Sequence, residues 1–127
     1  MGRVYHGLIL EVFVHNGLGK TKERPVVVIE RDEHIDRDSP FLTIPITDSY
    51  AYPLPYYHIQ VHDSYVLDRN TGLYKPSVAK CNWPIEVEAR RISRKIGDMP
   101  DRFLLAICDV YDRIQADEAF DDWQPKP

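Results

Sequence analysis

The chain contains 127 residues, of which 43% are hydrophobic and 28% are charged, and its net charge is −4. This length and composition exclude a disordered protein and a pair of ordinary domains, so we expect one soluble globular domain. No apolar run approaches the ~20 residues that cross a bilayer, and the N-terminus lacks a signal-peptide core. The sequence therefore predicts a cytoplasmic protein that is not attached to a membrane.

The acidic charge is concentrated at the C-terminus. Residues 112–127 carry a net charge of −3, whereas residues 69–102 hold eight basic and four acidic side chains. A basic face on an acidic protein can still bind nucleic acid, because phosphate responds to the local field more than to the total charge. The negative balance therefore does not exclude an RNA or DNA partner.

Most of the chain is predicted to form short strands. The segments rich in β-branched, aromatic and aliphatic residues are 4–14, 25–29, 41–47, 58–62, 76–81 and 85–88. An amphipathic helix is predicted from about Pro100 to Gln115. Five or six short strands and one late helix predict a mostly β fold, a small antiparallel β-barrel with a C-terminal α-helix. We assign this unit to residues 1–115, and an acidic, flexible tail to residues 116–127.

The cysteines and histidines indicate neither a disulfide nor a metal site. Cys81 and Cys108 lie in apolar segments, which is typical of small core residues in a reducing compartment. His58 and His62 lie four residues apart on a predicted strand, a span of roughly 13 Å that is too long for one ion. The sequence predicts no metal and no cofactor.

The dipeptide Arg24-Pro25 opens a strongly apolar run, residues 25–29, after the charged segment 20–23. Proline is tolerated at the first position of a strand, so the predicted strand begins at Pro25 with Arg24 at its entry. The planar guanidinium of arginine matches the oxygens of phosphate or carboxylate. Taken alone, Arg24 is either a solvated side chain at a strand edge or an anchor for an anion.

Five segments follow one another in an order that is more specific than any one of them. They are Gly7 in the first strand, Arg24-Pro25-Val26-Val27-Val28-Ile29, Pro45-Ile46-Thr47, Lys75-Pro76-Ser77-Val78-Ala79, and Arg91-Ile92-Ser93-Arg94-Lys95-Ile96-Gly97. In this combination most of residues 5–115 resembles the MazF/PemK family, the toxins of bacterial toxin–antitoxin pairs. The resemblance implies an SH3-like barrel that forms a homodimer, cleaves single-stranded RNA without a metal ion, and is neutralised by a cognate antitoxin.

The resemblance assigns catalytic roles to three side chains. Arg24 matches the family's strand-opening arginine, which would hold the scissile phosphate and its developing charge. Thr47 matches the strand-end threonine, whose hydroxyl can donate to a phosphate oxygen. Lys80 stands where the Kid-type branch of the family has an arginine, and it can neutralise phosphate without the bidentate fork.

The proton-transfer groups are not identified by the resemblance. Asn82 stands where the Kid-type branch has an aspartate, and an amide can bind RNA but cannot act as a carboxylate base. The segment before Arg24 lacks the common Glu-Gln pair and carries lysines instead. His15 is either the general base or a solvated imidazole. The candidate RNA-binding residues are Lys20, Lys22, Lys75 and Asn82.

Aromatic residues and rival functions leave further alternatives open. The tyrosines at positions 50, 52, 56 and 57 either stack on unpaired bases or cover a barrel edge. The related CcdB toxins share this barrel but poison DNA gyrase, and a non-catalytic binding module could use the same fold. The sequence as a whole predicts a metal-independent, sequence-selective endoribonuclease.

Overall fold

The chain folds into an antiparallel sheet and one C-terminal helix. The computed structural model describes residues 3–15, 19–62 and 69–123, which contain seven strands and one α-helix. The strands are β1 (Leu8–His15), β2 (Thr21–Val28), β3 (Phe41–Thr47), β4 (His58–His62), β5 (Ser77–Lys80), β6 (Ile85–Val87) and β7 (Ile92–Asp98), and the helix is α1 (Asp101–Trp123).

All the strands belong to one sheet with β3 near its centre. The strand order is β4-β5-β3-β2-β1-β7, and β6 also pairs with β3. β3 pairs with β2, with β6 near its start, and with β5 at its end. Among the described residues β4 and β7 end this order, so hydrogen bonds do not close the sheet into a full barrel. The predicted fold class, mostly antiparallel β with one C-terminal helix, is confirmed.

The middle of β2 is buried on both faces of the sheet. Val27 lies in a core cluster that includes Ile107 of α1, whereas Val26 and Val28 lie in a second cluster around Phe41. Because successive strand residues point to opposite faces, a strand covered on both sides needs an unbroken apolar run. Full burial of each such side chain stabilises the fold by roughly 1.5–3 kcal/mol.

Gly7 connects the sheet to the start of the helix. Its N–H donates to the carbonyl of Val28 at 2.8 Å, and its carbonyl accepts from the N–H of Met99 at 2.9 Å. Its φ of +92° suits glycine, and a Cβ there would lie 2.9 Å from Cδ2 of Leu104. The first turns of α1 therefore pack closely against this point of the chain.

The cysteines take the core positions predicted for them. Cys81 is fully buried in the cluster that includes Ile107, and Cys108 is half-buried against it. Burial raises the pKa of the Cys81 thiol to about 12. At neutral pH this side chain therefore stays protonated and packs as a small apolar group.

The structure corrects the predicted start of β2. The strand begins at Thr21 and not at Pro25, so the segment predicted to be a charged loop is a strand and Arg24 lies inside it. Thr21 pairs with His15 of β1, and Glu23 pairs with Phe13. The hairpin extends beyond the core here and its β2 side chains are exposed. The apolar alternation that identifies a strand is therefore absent from this part of the sequence.

The structure also adds β7, which the sequence did not identify as a strand. Ser93, Arg94 and Lys95 form its polar centre, and its pairing with β1 shifts register twice. Helix α1 begins at Asp101, as predicted, but its backbone continues to Trp123, past the predicted end at Gln115. Residues 124–127 lie outside the described residues, and the division into a barrel unit and a flexible tail stays a prediction.

Candidate active site

A charged pocket of about 370 Å³ opens beside the exposed end of β2. Its walls come from β1, β2, the end of β3, the segment 72–77 and β7. The charged side chains that line it are Glu11, Lys22, Glu23, Arg24, Asp48, Lys75 and Arg94. Four of the residues predicted from sequence, Lys22, Arg24, Thr47 and Lys75, therefore meet at one place. We call this the Arg24 pocket.

Strand register brings Arg24 and Thr47 together. The ladder between β2 and β3 ends with Val26 opposite Pro45. Arg24 and Thr47 each lie two residues beyond this end of the ladder, and both side chains line the pocket. Both side chains can therefore reach the same small anion.

The side chains of Arg24 and Thr47 differ in their exposure to solvent. Arg24 is exposed to solvent, and Thr47 is half-buried at the end of its strand. The Thr47 Oγ1 accepts a hydrogen bond from the N–H of Ser49 at 3.1 Å. That contact uses the oxygen as acceptor and leaves the hydroxyl hydrogen able to donate. The pair can therefore offer a guanidinium fork and one hydroxyl to phosphate.

Lys75 is held across the pocket by an exposed ion pair. Its Nζ lies 3.5 Å from Oδ2 of Asp48, and the two side chains are 61% and 53% exposed. A pair in this setting contributes roughly 0.2–1 kcal/mol to stability. Lys75 can therefore exchange Asp48 for a phosphate group at little cost.

The pocket also contains two carboxyl groups that were not among the site residues predicted from the sequence. Glu11 on β1 lies directly opposite Arg94 on β7, and Arg94 Nη2 donates to Glu11 Oε2 at 3.3 Å. Glu23 on β2 accepts a hydrogen bond from Ser93 Oγ at 3.2 Å. The interaction between the two carboxyl groups lowers the pKa of Glu11 and raises the pKa of Glu23.

One feature of the sequence could have identified Glu11 as a candidate site residue. It is the only charged side chain in residues 7–14, which are otherwise apolar. A charge in such a run requires a partner, because an unpaired ionised group is costly to bury. Its side chain is 17% exposed and its partner is Arg94. Glu23 gave no comparable signal, since it stands among other charged residues.

His15, the base suggested by the sequence, makes contacts elsewhere. Its Nε2 lies 3.0 Å from Nη1 of Arg91, and its Nδ1 lies 3.3 Å from Oγ1 of Thr21. Neither its ring nor these partners line the Arg24 pocket. A role for His15 in proton transfer stays a prediction.

Three predicted site residues lie outside the Arg24 pocket. Lys80, at the end of β5, pairs with His58 of β4, and its Nζ lies 5.0 Å from the ring centroid of Trp83. Burial and then the charge of Lys80 lower the pKa of His58. Asn82 is exposed in the turn after β5, and Lys20 is exposed just before β2. We call Lys80, Asn82 and Trp83 the Trp83 surface.

A comparison with known protein families identifies the family of this chain. Residues 7–113 match the family described as PemK-like, MazF-like toxin of type II toxin-antitoxin system. The chain belongs to this family. The family predicted from the sequence is thereby confirmed, over nearly the same residues. No curated protein sequence is significantly similar to the chain.

Solved structures with the same fold include several toxins. The Mycobacterium tuberculosis toxin MazF-mt6 is 19% identical, with a TM-score of 0.62 and coverage of 86% of this chain and 96% of that one. MazF from Deinococcus radiodurans is 11% identical, with a TM-score of 0.71 and coverage of 91% and 99%. An endoribonuclease in complex with its cognate antitoxin, from a mycobacterial species, is 9% identical, with a TM-score of 0.69 and coverage of 98% and 100%. At these identities the likeness establishes the fold.

Exposed aromatic rings are a further feature of this PemK-like chain. Tyr52 and Tyr56 are 67% and 65% exposed, and Trp83 is 62% exposed. The hydroxyl of Tyr52 donates to Gln60 Oε1 at 2.6 Å, and Gln60 Nε2 donates to the hydroxyl of Tyr50 at 3.2 Å. Base stacking by these rings and coverage of the sheet edge are both compatible with this arrangement.

The described part of the toxin offers neither a metal-binding cluster nor a membrane-spanning helix. Within residues 3–15, 19–62 and 69–123, no group of three or more His, Cys, Asp or Glu side chains is placed to hold a metal ion. Across the same part of the chain, α1 is not apolar enough to span a bilayer.

Proposed function

We propose that this toxin is a metal-independent, sequence-selective endoribonuclease that cleaves single-stranded RNA in the cytoplasm. The observation that carries the proposal is the meeting of Arg24 and Thr47 in one pocket, in a chain that belongs to the PemK-like toxin family. Two solved structures with this fold, both from mycobacterial species, are endoribonucleases, which supports the same activity. Family membership favours this activity over the CcdB-like alternative.

The chemistry that fits the pocket is attack by the ribose 2′-hydroxyl on the adjacent phosphorus. Negative charge then develops on the phosphoryl oxygens, and a fixed cation lowers the energy of that state most. Arg24 is assigned this role, and Thr47 donates its hydroxyl to one of the same oxygens. Lys22 and Lys75 hold neighbouring phosphates of the RNA strand.

Lys80, Lys20 and Asn82 are assigned contacts with RNA outside the reacting phosphate. Lys80 and the exposed ring of Trp83 combine a cation with a stacking face, which suits an unpaired nucleotide. A homodimer would place two Arg24 pockets and two Trp83 surfaces along one strand of RNA. Sequence selectivity would then come from bases read on both sides of the cut.

The proposed protein partner is a cognate antitoxin. Structures of an endoribonuclease with its cognate antitoxin and of MazE-MazF from Deinococcus radiodurans share this fold. The Arg24 pocket offers several cations at one opening, so an acidic segment of an antitoxin could occupy it in place of RNA. Antitoxin bound in this way would protect RNA by direct competition.

Incubation of the purified protein with long single-stranded RNA in excess chelator tests the proposal. We expect discrete fragments that end in 2′,3′-cyclic phosphate and begin with a free 5′-hydroxyl. An Arg24→Ala protein purified in parallel controls for contaminating ribonucleases. RNA binding without cleavage would favour the binding module, and loss of gyrase supercoiling without RNA cleavage would favour the CcdB-like poison.

A further inference from the structure

The Arg24 pocket supplies cations for the reaction, and it also holds a pair of carboxyl groups in the right setting for proton transfer. Glu11 lies on β1 and Glu23 lies on the neighbouring strand β2. Glu11 pairs with Pro25, so Glu23, two residues before Pro25, is its diagonal neighbour. Diagonal neighbours of this kind are within reach of long side chains. Both line the same pocket as Arg24 and Thr47.

Each carboxyl group is held in place by a different residue of β7. Arg94 Nη2 donates to Glu11 Oε2 at 3.3 Å, and Ser93 Oγ donates to Glu23 Oε1 at 3.2 Å. The Glu11 side chain is 17% exposed, whereas Glu23 is open to the pocket. Arg94 forms an ion pair with Glu11 and favours its ionised form, whereas for Glu23 the charge of Arg94 is the smallest of the effects on the pKa, which is raised overall.

We propose that Glu11 and Glu23 together carry the two proton transfers of RNA cleavage, an inference that rests on the proposed ribonuclease function. The ionised Glu11 accepts the proton of the 2′-hydroxyl as its oxygen forms a bond to phosphorus. The bond from phosphorus to the 5′-oxygen breaks, and Glu23, in the form of the protein that holds one proton on this pair, gives that proton to the leaving oxygen. The products are a 2′,3′-cyclic phosphate and a 5′-hydroxyl.

The pair returns to its starting state without any other reactant. After one cleavage Glu11 is protonated and Glu23 is ionised, so the number of protons on the pair is unchanged. The two carboxyl groups are diagonal neighbours on paired strands, so the proton can pass back from Glu11 to Glu23, directly or through a water molecule. The pair therefore fills the general acid and base roles that Asn82 cannot fill.

The pH dependence of the reaction follows from the two opposite shifts. The pKa of Glu11 is lowered, first by its hydrogen bond with Glu23, and the pKa of Glu23 is raised by the same bond. The rate rises with pH as Glu11 loses its proton and falls as Glu23 loses its own. The other charged groups that line the pocket around the pair are Lys22, Arg24, Asp48, Lys75 and Arg94.

Isosteric substitutions separate proton transfer from binding. We expect Glu23→Gln and Glu11→Gln each to reduce the single-turnover cleavage rate by about 10²–10⁴-fold. Affinity for an RNA with a 2′-deoxy nucleotide at the cleavage site should change less than about threefold, which also shows that the variants are folded. Because the carboxyls act as a unit, the double variant should lose little more than either single one. The control is Glu86→Gln, an exposed glutamate of β6 outside the pocket.

Three results distinguish failure of the inference from failure of the function. If the wild-type protein cleaves RNA and both glutamine variants cleave within threefold of it, the inference is wrong and the ribonuclease stands. If the folded wild-type protein binds RNA without cutting it, the function fails and the inference fails with it. Titration of ¹³C-labelled glutamate carboxyls without RNA gives an independent answer, because two uncoupled curves near the ordinary pKa of about 4.3 would exclude a shared proton.

Discussion

The Arg24 pocket and the Trp83 surface both carry residues that the family resemblance singled out, yet they differ in how the fold builds them. In the pocket, β1, β2, β3 and β7 each contribute side chains, and opposite charges face one another at short range. The Trp83 surface is a single cation beside an exposed ring at the end of β5. Reaction chemistry needs several groups of different kinds within reach of one phosphate, whereas binding needs only charge and a stacking face. We therefore expect the reaction to take place in the pocket.

Among the residues that the family resemblance singled out, replacement of Arg24 should have the largest effect on the cleavage rate. Arg24→Ala removes the cation that faces the developing charge, and we expect a loss of about 10²–10³-fold in the single-turnover cleavage rate. Arg24→Lys should recover only part of it, because an ammonium lacks the planar fork. The control is Arg37→Ala, an exposed arginine outside the pocket. Cleavage by Arg24→Ala within threefold of wild type would place the chemistry elsewhere.

Replacement of Thr47 should have the next largest effect on the cleavage rate, since its side chain supplies one hydrogen bond to a charged oxygen. Thr47→Val keeps the β-branched shape that suits the strand and removes the hydroxyl, and we expect a loss of about 10–100-fold in cleavage rate. Thr47→Ser retains the donor and should stay close to wild type in the same assay. Equal rates for the serine and valine variants would show that the hydroxyl takes no part.

Lys75 should affect binding more than chemistry. Lys75→Ala should weaken RNA binding and reduce the slope of log affinity against log salt by about 0.7, with little change in rate at saturating RNA. Asp48→Asn removes the competing carboxylate of the 3.5 Å ion pair and should tighten binding. Affinity measured by fluorescence anisotropy at several salt concentrations checks both changes. A salt slope that does not change in Lys75→Ala would remove Lys75 from the RNA path.

The Trp83 surface should give the smallest effect on rate. Lys80→Ala and Asn82→Ala should each change the single-turnover rate at saturating RNA by less than about threefold, because neither side chain lines the pocket. Trp83→Ala should weaken RNA binding by about 1–3 kcal/mol if a base stacks on the ring. A hundredfold loss of rate in Lys80→Ala would instead indicate that a second subunit brings Lys80 to the reacting phosphate.

The sequence was informative where burial imposes a pattern. The run at residues 25–29 is apolar at every position because β2 is covered on both faces, and that pattern is visible without a structure. The start of α1 was equally visible, since Pro100 stands just before it and apolar residues recur at helical spacing. These elements fixed the fold class.

The sequence was uninformative where strands leave the core. Residues 21–24 and 93–95 are polar and solvent-facing, so nothing in their pattern distinguishes a strand from a loop. The candidate site depends on these same segments, because Glu23, Arg24 and Arg94 all lie in them. Contacts such as Glu11 with Arg94 join residues 83 positions apart, and only strand register brings them together. The family resemblance selected Arg24 and Thr47 together, but the sequence showed neither the carboxyl pair nor the position of Lys80 outside the pocket.

The register between β2 and β3 has a practical consequence. Arg24 and Thr47 are brought to the same pocket by the ladder between β2 and β3, which ends at Val26 opposite Pro45, two residues from each of them. Residues 36–39 of that connection are exposed. A break at this point would separate a fragment with Glu11, Glu23 and Arg24 from a fragment with Thr47, Lys75 and Arg94. Neither fragment would contain the complete candidate site, so each should be inactive alone. The toxin could therefore be divided into two parts whose RNA cleavage reports when the parts are brought together.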